Sequence, residues 1–432
     1  MPTPSLLIVP ARFKTGKLYS QIPTSGAGDF TVTRNTAARR FDSAGLVASV
    51  ASGIPRLDYY TSGGVTGCPA LLVEPAATNL AFHSEIWASG NNWTLDAVTR
   101  VTGSTSAFLA PDGTFTANAL SPTSANVFHG LYSNSSTQNT YISGTIYTQS
   151  AFFKQGTGVA GRYVQLTYTG GGQFTQNGYA NFDLQLGTVA VVSGTSADTN
   201  RAARIENYGN GWYRCSFTAT CNAAGNGIGV LPVLVNASGN TRAQSFAGVT
   251  GDILYGWGAQ LETGSVATSY IPTTTGTGSR SADVISVSGA VSGSIGQTEG
   301  TIYVEFVDAV TVDNPLFTLD DGTNNNRIVI YRNPQTGNWS LFTASSGVTA
   351  LVTGTVGNDF GKIAVAYSSS GYVGYRNGTQ IFTLTAALPL SLKAIRFNGR
   401  VTGDLFSNKR IRAAALYTTR LTNAELATLT TP

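Results

Sequence analysis

The chain has 432 residues, 42% of them hydrophobic and only 11% charged, with 50 Gly and 15 Pro. That length allows two or three domains and more than one core, and hydrophobicity this high excludes a disordered chain. The net charge of +4 is thinly spread: the basic clusters are as short as "TAARR" ending at Arg40 and "NKRIR" at 408–412, which excludes nucleic acid as the partner.

With so few charges, the solvent-facing positions must be Ser, Thr, Asn and Gly, residues that favour strands and turns over helices. The chain opens with "MPTPSLLIVPARFKTG". Its apolar run is too short for a signal-peptide core and Pro10 interrupts it, so export by secretion is not expected. No stretch approaches 18 apolar residues, so no membrane insertion is expected. Cys68, Cys215 and Cys221 are an odd number without CxxC spacing, which reads as packed thiols in a protein assembled in a cytosol. His83 and His129 are the only two histidines, too few for a His-rich metal site.

Period-two alternation then dominates. "GTIYTQSAFFK" (144–154), "RYVQLTYTG" (162–170), "YANFDLQLGTVAVVSG" (179–194) and "GWYRCSFTAT" (211–220) read as strands bounded by Gly, Asn or Ser, the pattern of a β-sandwich. "DILYGWGAQLE" (252–262) reads as its last strand, with Trp257 and Leu261 inward and Trp87, Trp93 and Trp212 as further core aromatics. "TTTGTGSRSADV" follows as a linker whose charged residues are expected to be solvated. A second set of strands begins at "TIYVEFV" (301–307), with Ile302, Val304 and Phe306 on one face, and continues through "NRIVIYR", "NWSLFTA" and "GKIAVAYSS". In "GYVGYRNGTQIFTL" (371–384), Asn377-Gly378 fits a type I′ hairpin turn. The one convincing helix is "LTNAELATL" (421–429), where Thr422 and Glu425 have capping-box spacing. The expected fold is all-β: an N-terminal segment (1–75), a β-sandwich like a carbohydrate-binding module (76–272), a linker (273–294) and a second sandwich (295–432).

Several segments resemble a known family. "FTVTRNTAARRFDSAGLVASVASGIPRLDYY" (30–60), "ALLVEPAATNLAFHSEIW" (70–87), "FDLQLGTV" (182–189), "IENYGNGWYRCSFTAT" (205–220) and "WGAQLETGSVATSYIPTTTGTGSRSADV" (257–284) resemble, in order, a module of tailed-bacteriophage tail fibre, appendage and head-fibre proteins. "GYVGYRNGTQI" and "IRAAALYTTRLTNAELATL" resemble the hairpin and closing strand and helix of laminin-G or concanavalin A-like lectin sandwiches. The resemblance implies a virion protein assembled in the host cytoplasm and docked to other virion proteins through its N-terminal segment. It further implies a homotrimer adhering to host-surface polysaccharide, as a tail fibre or receptor-binding protein. A head fibre or decoration protein without a receptor, and a glycan depolymerase, are the alternatives.

Concanavalin-like glycan hydrolases place carboxylates at alternate positions of one strand, and no such triplet occurs here, so no catalytic residue is assigned. Asp320, Asp321 and Asn324 in "LDDGTNNNR" offer hard oxygens for calcium, the one cofactor candidate. The favoured assignment is an Asx-rich turn, since EF-hand spacing is absent, so no metal or other cofactor is expected. Sugars stack on aromatic rings, which makes Trp339, Tyr331, Tyr372 and Tyr375 candidate glycan-binding residues, against the alternative that they are core aromatics.

Overall fold

A computed structural model of the chain describes residues 1–60, 67–134, 139–168, 172–174, 178–194, 200–310, 314–333, 337–356, 361–397, 399, 401 and 408–432. Nearly all of the regular structure is antiparallel β, arranged as two sandwiches. No helix among the described residues is long and apolar enough to cross a membrane.

The chain is not two sandwiches in series. One sandwich is assembled from both ends of the chain, and the other is inserted into it. The terminal sandwich packs a nine-stranded sheet on an eight-stranded one. In the eight-stranded sheet, Asn408–Tyr417 pairs with Glu299–Val310 on one side. On the other it pairs with two N-terminal strands at different points of its length, Leu6 lying opposite Leu416 and Leu71 opposite Ile411. In the nine-stranded sheet, Val284–Ser288 lies between Phe30–Thr33 and Ala394–Arg396.

The reason is apolar burial. Leu6, Ile8, Leu18, Phe30, Val32, Leu57, Leu71 and Val73 are all buried in the same core as Ile302, Val304, Phe306 and Trp339. Each such side chain stabilises the fold by about 1.5–3 kcal/mol when buried. The expectation of a separate segment over 1–75 is therefore corrected: those residues complete the terminal sandwich.

The inserted sandwich packs two six-stranded sheets. Ile146–Gln155, at the middle of one, pairs with Trp212–Thr220 and Leu254–Thr263. Its core holds Trp87, Trp93, Phe153, Phe182 and Leu261. The stretch 179–194 is two strands, Tyr179–Asp183 and Thr188–Ser193, because Gly187, at φ +65°, turns the chain between them.

Entry to and exit from the insert lie side by side. Ala77–Asn79 pairs with Gly278–Arg280, placing Asn79 opposite Gly278. The Asn79 side chain fixes this neck by donating to the carbonyls of Ala259 and Ile271 and accepting from the amides of Ala81 and Leu261. The expected linker at 273–294 is thus neck and sheet. Its Ser/Thr/Gly composition suits a turn, but the chain there is pinned by backbone pairing on both sides.

Near the C-terminus, Asn377 (φ +46°) and Gly378 (φ +80°) form the expected hairpin turn. The helix Asn423–Thr430 carries the expected capping box and buries Leu426 against the outer side of the eight-stranded sheet, beside Tyr303 and Ala364.

Candidate functional site

The charged residues of the stretch expected to be a linker are not solvated. Arg280 and Asp283 are each 1% exposed and belong to a cluster with Arg34, Arg56 and Glu74, all of them buried. Arg34 Nη1 reaches Asp283 Oδ1 at 2.9 Å and Arg56 Nη1 reaches Glu74 Oε2 at 2.7 Å. Arg56 Nη2 also pairs with Asp283. Glu74 accepts from both the amide (2.8 Å) and hydroxyl (2.6 Å) of Ser269, on the chain returning from the insert. Burial by itself would raise the Glu74 pKa, but Arg280, Arg56 and Ser269 outweigh it and hold the carboxyl well below its ordinary range. Strands from three separated parts of the sequence are thus joined at one point by groups that are costly to bury unpaired.

An aromatic layer lies beside this cluster, between the sandwiches. Val47, in a separate two-stranded hairpin of Ala38–Phe41 and Val47–Val50, packs with Phe152, Trp212, Trp257 and Tyr270. Phe41 meets Tyr208 edge to face at a ring separation of 5.5 Å, and Tyr208 meets Phe152 at 4.9 Å.

Two cavities open at this junction, flanking Arg39 and Tyr270. The larger, about 430 Å³, brings Arg39, Arg40, Arg204, Arg214 and Arg410 together with Asp58, Glu74 and Glu206. Its acids are engaged: Asp58 by Arg410 at 3.0 Å, Glu206 by Arg204 at 3.0 Å, and Glu74 by the buried cluster. Arg214 lies over the Phe152 ring and donates to the Thr268 carbonyl and the Ser150 hydroxyl. The smaller cavity, about 340 Å³, is lined by Arg39, Arg280, Thr36, Ser49, Ser279 and Tyr270 among others, and by no acid. Both volumes fall at the small end of the range for small-molecule sites, roughly 300–1,000 Å³.

The four aromatic candidates do not converge. Trp339 is fully buried, its ring 4.6 Å from Phe306, because it is the second residue of Asn338–Ser345 and alternation turns it inward. Tyr372 is also core: its hydroxyl meets Thr343 Oγ1 and donates to the Ala387 carbonyl, each at 3.1 Å. Tyr331 and Tyr375 are half-buried on different sheets, Tyr331 in the nine-stranded and Tyr375 in the eight-stranded one. The expected stacking platform is therefore corrected to two core residues and two separated surface ones.

The calcium candidates are engaged by the protein's own donors. Asp320 accepts from Arg396 Nε at 2.7 Å and from the Gly322 amide. Asp321 accepts from the Thr323 amide and hydroxyl and from Asn326 Nδ2. Asn324 Oδ1 accepts from Arg327 at 2.5 Å. This is the geometry of an Asx turn, with each carboxylate already satisfied. Among the described residues, no group of three or more His, Cys, Asp or Glu is placed to hold a metal.

The charged residues of the junction were the functional feature that pattern reading passed over. Their signal was rarity: in a chain with so few charges, "TRN" and "VEP" each place one, and "PRLD" and "SRSAD" each place two, among apolar and small polar neighbours.

No family model matches the chain, and no curated protein does. Solved structures match parts of it. The CBM40 domain of the Ruminococcus gnavus IT-sialidase bound to α2,3-sialyllactose is 17% identical, covering 32% of this chain and 84% of that one, with a TM-score of 0.29. The NanB sialidase of Streptococcus pneumoniae is 17% identical over 34% of this chain and 27% of that one, at a TM-score of 0.29. A heptameric SAP-like pentraxin of Limulus polyphemus is 10% identical over 31% of this chain and 69% of that one, at 0.26.

Proposed function

We propose that this chain is a non-enzymatic appendage protein of a tailed-phage particle that adheres to host-surface glycan, as a tail fibre or receptor-binding protein. The observation that carries the reading is the junction. Arg34, Arg56, Glu74, Ser269, Arg280 and Asp283 all fall in the segments that resemble the appendage family, and they meet in one cluster. Those segments therefore hold a shared scaffold, two sandwiches packed through an aromatic layer, with the two cavities forming an open groove beside it.

The groove supports adhesion rather than hydrolysis. A glycosidase needs one carboxylic acid with a raised pKa facing one ionised carboxylate across the scissile bond. Here Asp58, Glu74 and Glu206 are each paired to an arginine. What the groove offers a saccharide is arginine, hydroxyl and aromatic edge, which suits binding. Avidity from a homotrimer, part of the same reading, would offset weak single sites.

The test is incubation of the purified protein with host capsule or lipopolysaccharide. Retention of the polysaccharide by immobilised protein, with its chain length unchanged, is the expected outcome. Shortened chains would replace adhesion by depolymerase activity. An antibody to the chain should decorate projections from intact virions, and light scattering should report about three times 45.0 kDa. A monomer at micromolar concentration would remove the trimer.

A further inference from the structure

We infer that the smaller junction cavity is an anion site that takes the carboxylate of an acidic sugar, held between Arg39 and Arg280. This rests on the glycan-adhesion reading and specifies its ligand.

The first argument is charge. The buried cluster contains three guanidinium groups, Arg34, Arg56 and Arg280, against two carboxylates, Glu74 and Asp283. Among these five groups one positive charge is in excess. The next carboxyl, Glu262, is turned to other donors, the Thr268 amide and hydroxyl and Gln260 Nε2. Its charge acts on Arg280, but less than that of Glu74 or Asp283 does.

The second argument is hydrogen bonding. Arg34 and Arg56 donate repeatedly to carbonyls, carboxylates and the Ser269 hydroxyl, with only Arg56 Nε unpaired. Arg280 does not. Its Nη1 makes a long bond, 3.4 Å, to the Ser281 carbonyl. Its Nε and Nη2 have no hydrogen-bond partner, although Arg280 is only 1% exposed and Nη2 lies 3.4 Å from Glu74. Buried arginine donors are ordinarily satisfied, because an unmet one carries its full desolvation cost. Arg280 lines the acid-free cavity of about 340 Å³.

The third argument is the opposite wall. Arg39 lines the same cavity, half-buried, and its side chain makes no ion pair or hydrogen bond among the described residues. Glu85, whose carboxyl bonds the Tyr270 hydroxyl, attracts Arg39 through its charge but forms no hydrogen bond or close ion pair with it. Arg39 and Arg280 thus line one cavity, Arg280 as a buried residue with unpaired donors, edged by the hydroxyl-bearing Thr36, Ser49 and Ser279. Planar guanidinium forks match a carboxylate, and hydroxyls match a sugar ring. A neutral sugar would leave the excess charge uncompensated.

The experiment uses the full chain with three acidic probes, trigalacturonate, glucuronate and N-acetylneuraminate, and with the methyl ester of each. The ester keeps the ring and removes the charge. At least one acid should bind by calorimetry, at least tenfold tighter than its ester. Arg39→Gln should lower that affinity tenfold or more while leaving the melting temperature within a degree or two, since Arg39 has no side-chain hydrogen bond or close ion pair to lose, only a longer attraction to Glu85. Arg280→Lys, which keeps the charge and loses the fork, should weaken the acid more than the ester. Equal binding of acid and ester would overturn the anion site but leave glycan adhesion standing. Failure of every acid to bind, by a protein that still retains host polysaccharide, would overturn the site while sparing the broader reading. Failure to retain polysaccharide at all would overturn both. Unchanged acid affinity in Arg39→Gln would also overturn the assignment.

Discussion

At the scale of single residues, the junction cluster decides most. Asp283 bonds Arg34 and Arg56 and receives the Glu74 amide, so Asp283→Asn leaves three buried guanidinium groups facing one carboxylate. Breaking a buried pair in this way costs about 3–5 kcal/mol, and urea denaturation at pH 7 should read a loss of that size. Glu74 sets the pH dependence. Its pKa is depressed in the folded state, so the unfolded chain binds more protons in acid. The stability it contributes is fully present above its unfolded pKa of about 4.3 and is lost as pH falls below that value. The difference in stability between wild type and Glu74→Gln should therefore be largest near pH 7 and shrink steadily below about pH 4; a gap independent of pH would remove Glu74 as the titrating group. Trp339 behaves differently. Its ring is packed on Phe306 in the core, so Trp339→Ala should cost about 3–5 kcal/mol, read from the melting curve. Trp339→Phe, folded, should retain polysaccharide normally. Loss of retention by that folded variant would return Trp339 to the binding surface.

At the scale of elements, local signals were legible where the chain needs only its neighbours. The inward face of Ile302, Val304 and Phe306, the capping box of Thr422 and Glu425, and the turn at Asn377-Gly378 all follow from spacing, and all stand in the structure. The turn can be tested alone. A Cβ on Gly378 would meet nothing closer than 3.5 Å, so Gly378→Ala should cost only its positive φ, about 1–2 kcal/mol, measured by thermal unfolding. Loss of the hairpin altogether would mean that packing, not conformation, fixes the turn. What spacing could not supply was the partner of each strand. Val284–Ser288 reads as the end of a polar linker because its nearest apolar neighbours are few. Its actual partners, Thr31–Thr33 and Ala394–Arg396, lie some 250 and 110 positions away in the chain. Trp339 failed for a related reason: a residue just after a turn looks like rim until the facing sheet is known to supply Phe306. The binding candidates shared that defect, since convergence of side chains is a property of sheet order, and Tyr331 and Tyr375 belong to different sheets.

At the scale of the whole molecule, the insertion makes a prediction opposite to that of domains in series. A linear reading expects 295–432 to fold alone and the chain to be cut near Ser281. In the structure, the Ser281 amide is bonded to Thr36 Oγ1, and Arg280 and Asp283 on either side are buried. Fragment 295–432 would lack eight N-terminal core side chains, from Leu6 to Val73, together with Ile285 and Val287. At about 1.5–3 kcal/mol each, that loss exceeds the net stability of an ordinary domain, roughly 5–15 kcal/mol, so the fragment should stay unfolded. The insert, by contrast, can be excised. Asn79 and Gly278 are register partners, so a two-residue Asn-Gly turn can bridge them once 80–277 are removed. The shortened chain keeps every strand of the terminal sandwich and should unfold cooperatively with a β-type circular dichroism spectrum. It should melt below the full protein, because Glu74 loses the Ser269 amide and hydroxyl, and Phe41 and Tyr60 lose the Tyr208 ring. It should also lose binding of acidic sugar, since Tyr270 and the far wall of both cavities leave with the insert. A cooperatively folding 295–432 fragment beside a disordered excised chain would place the boundary at the polar stretch 273–294 and refute the insertion.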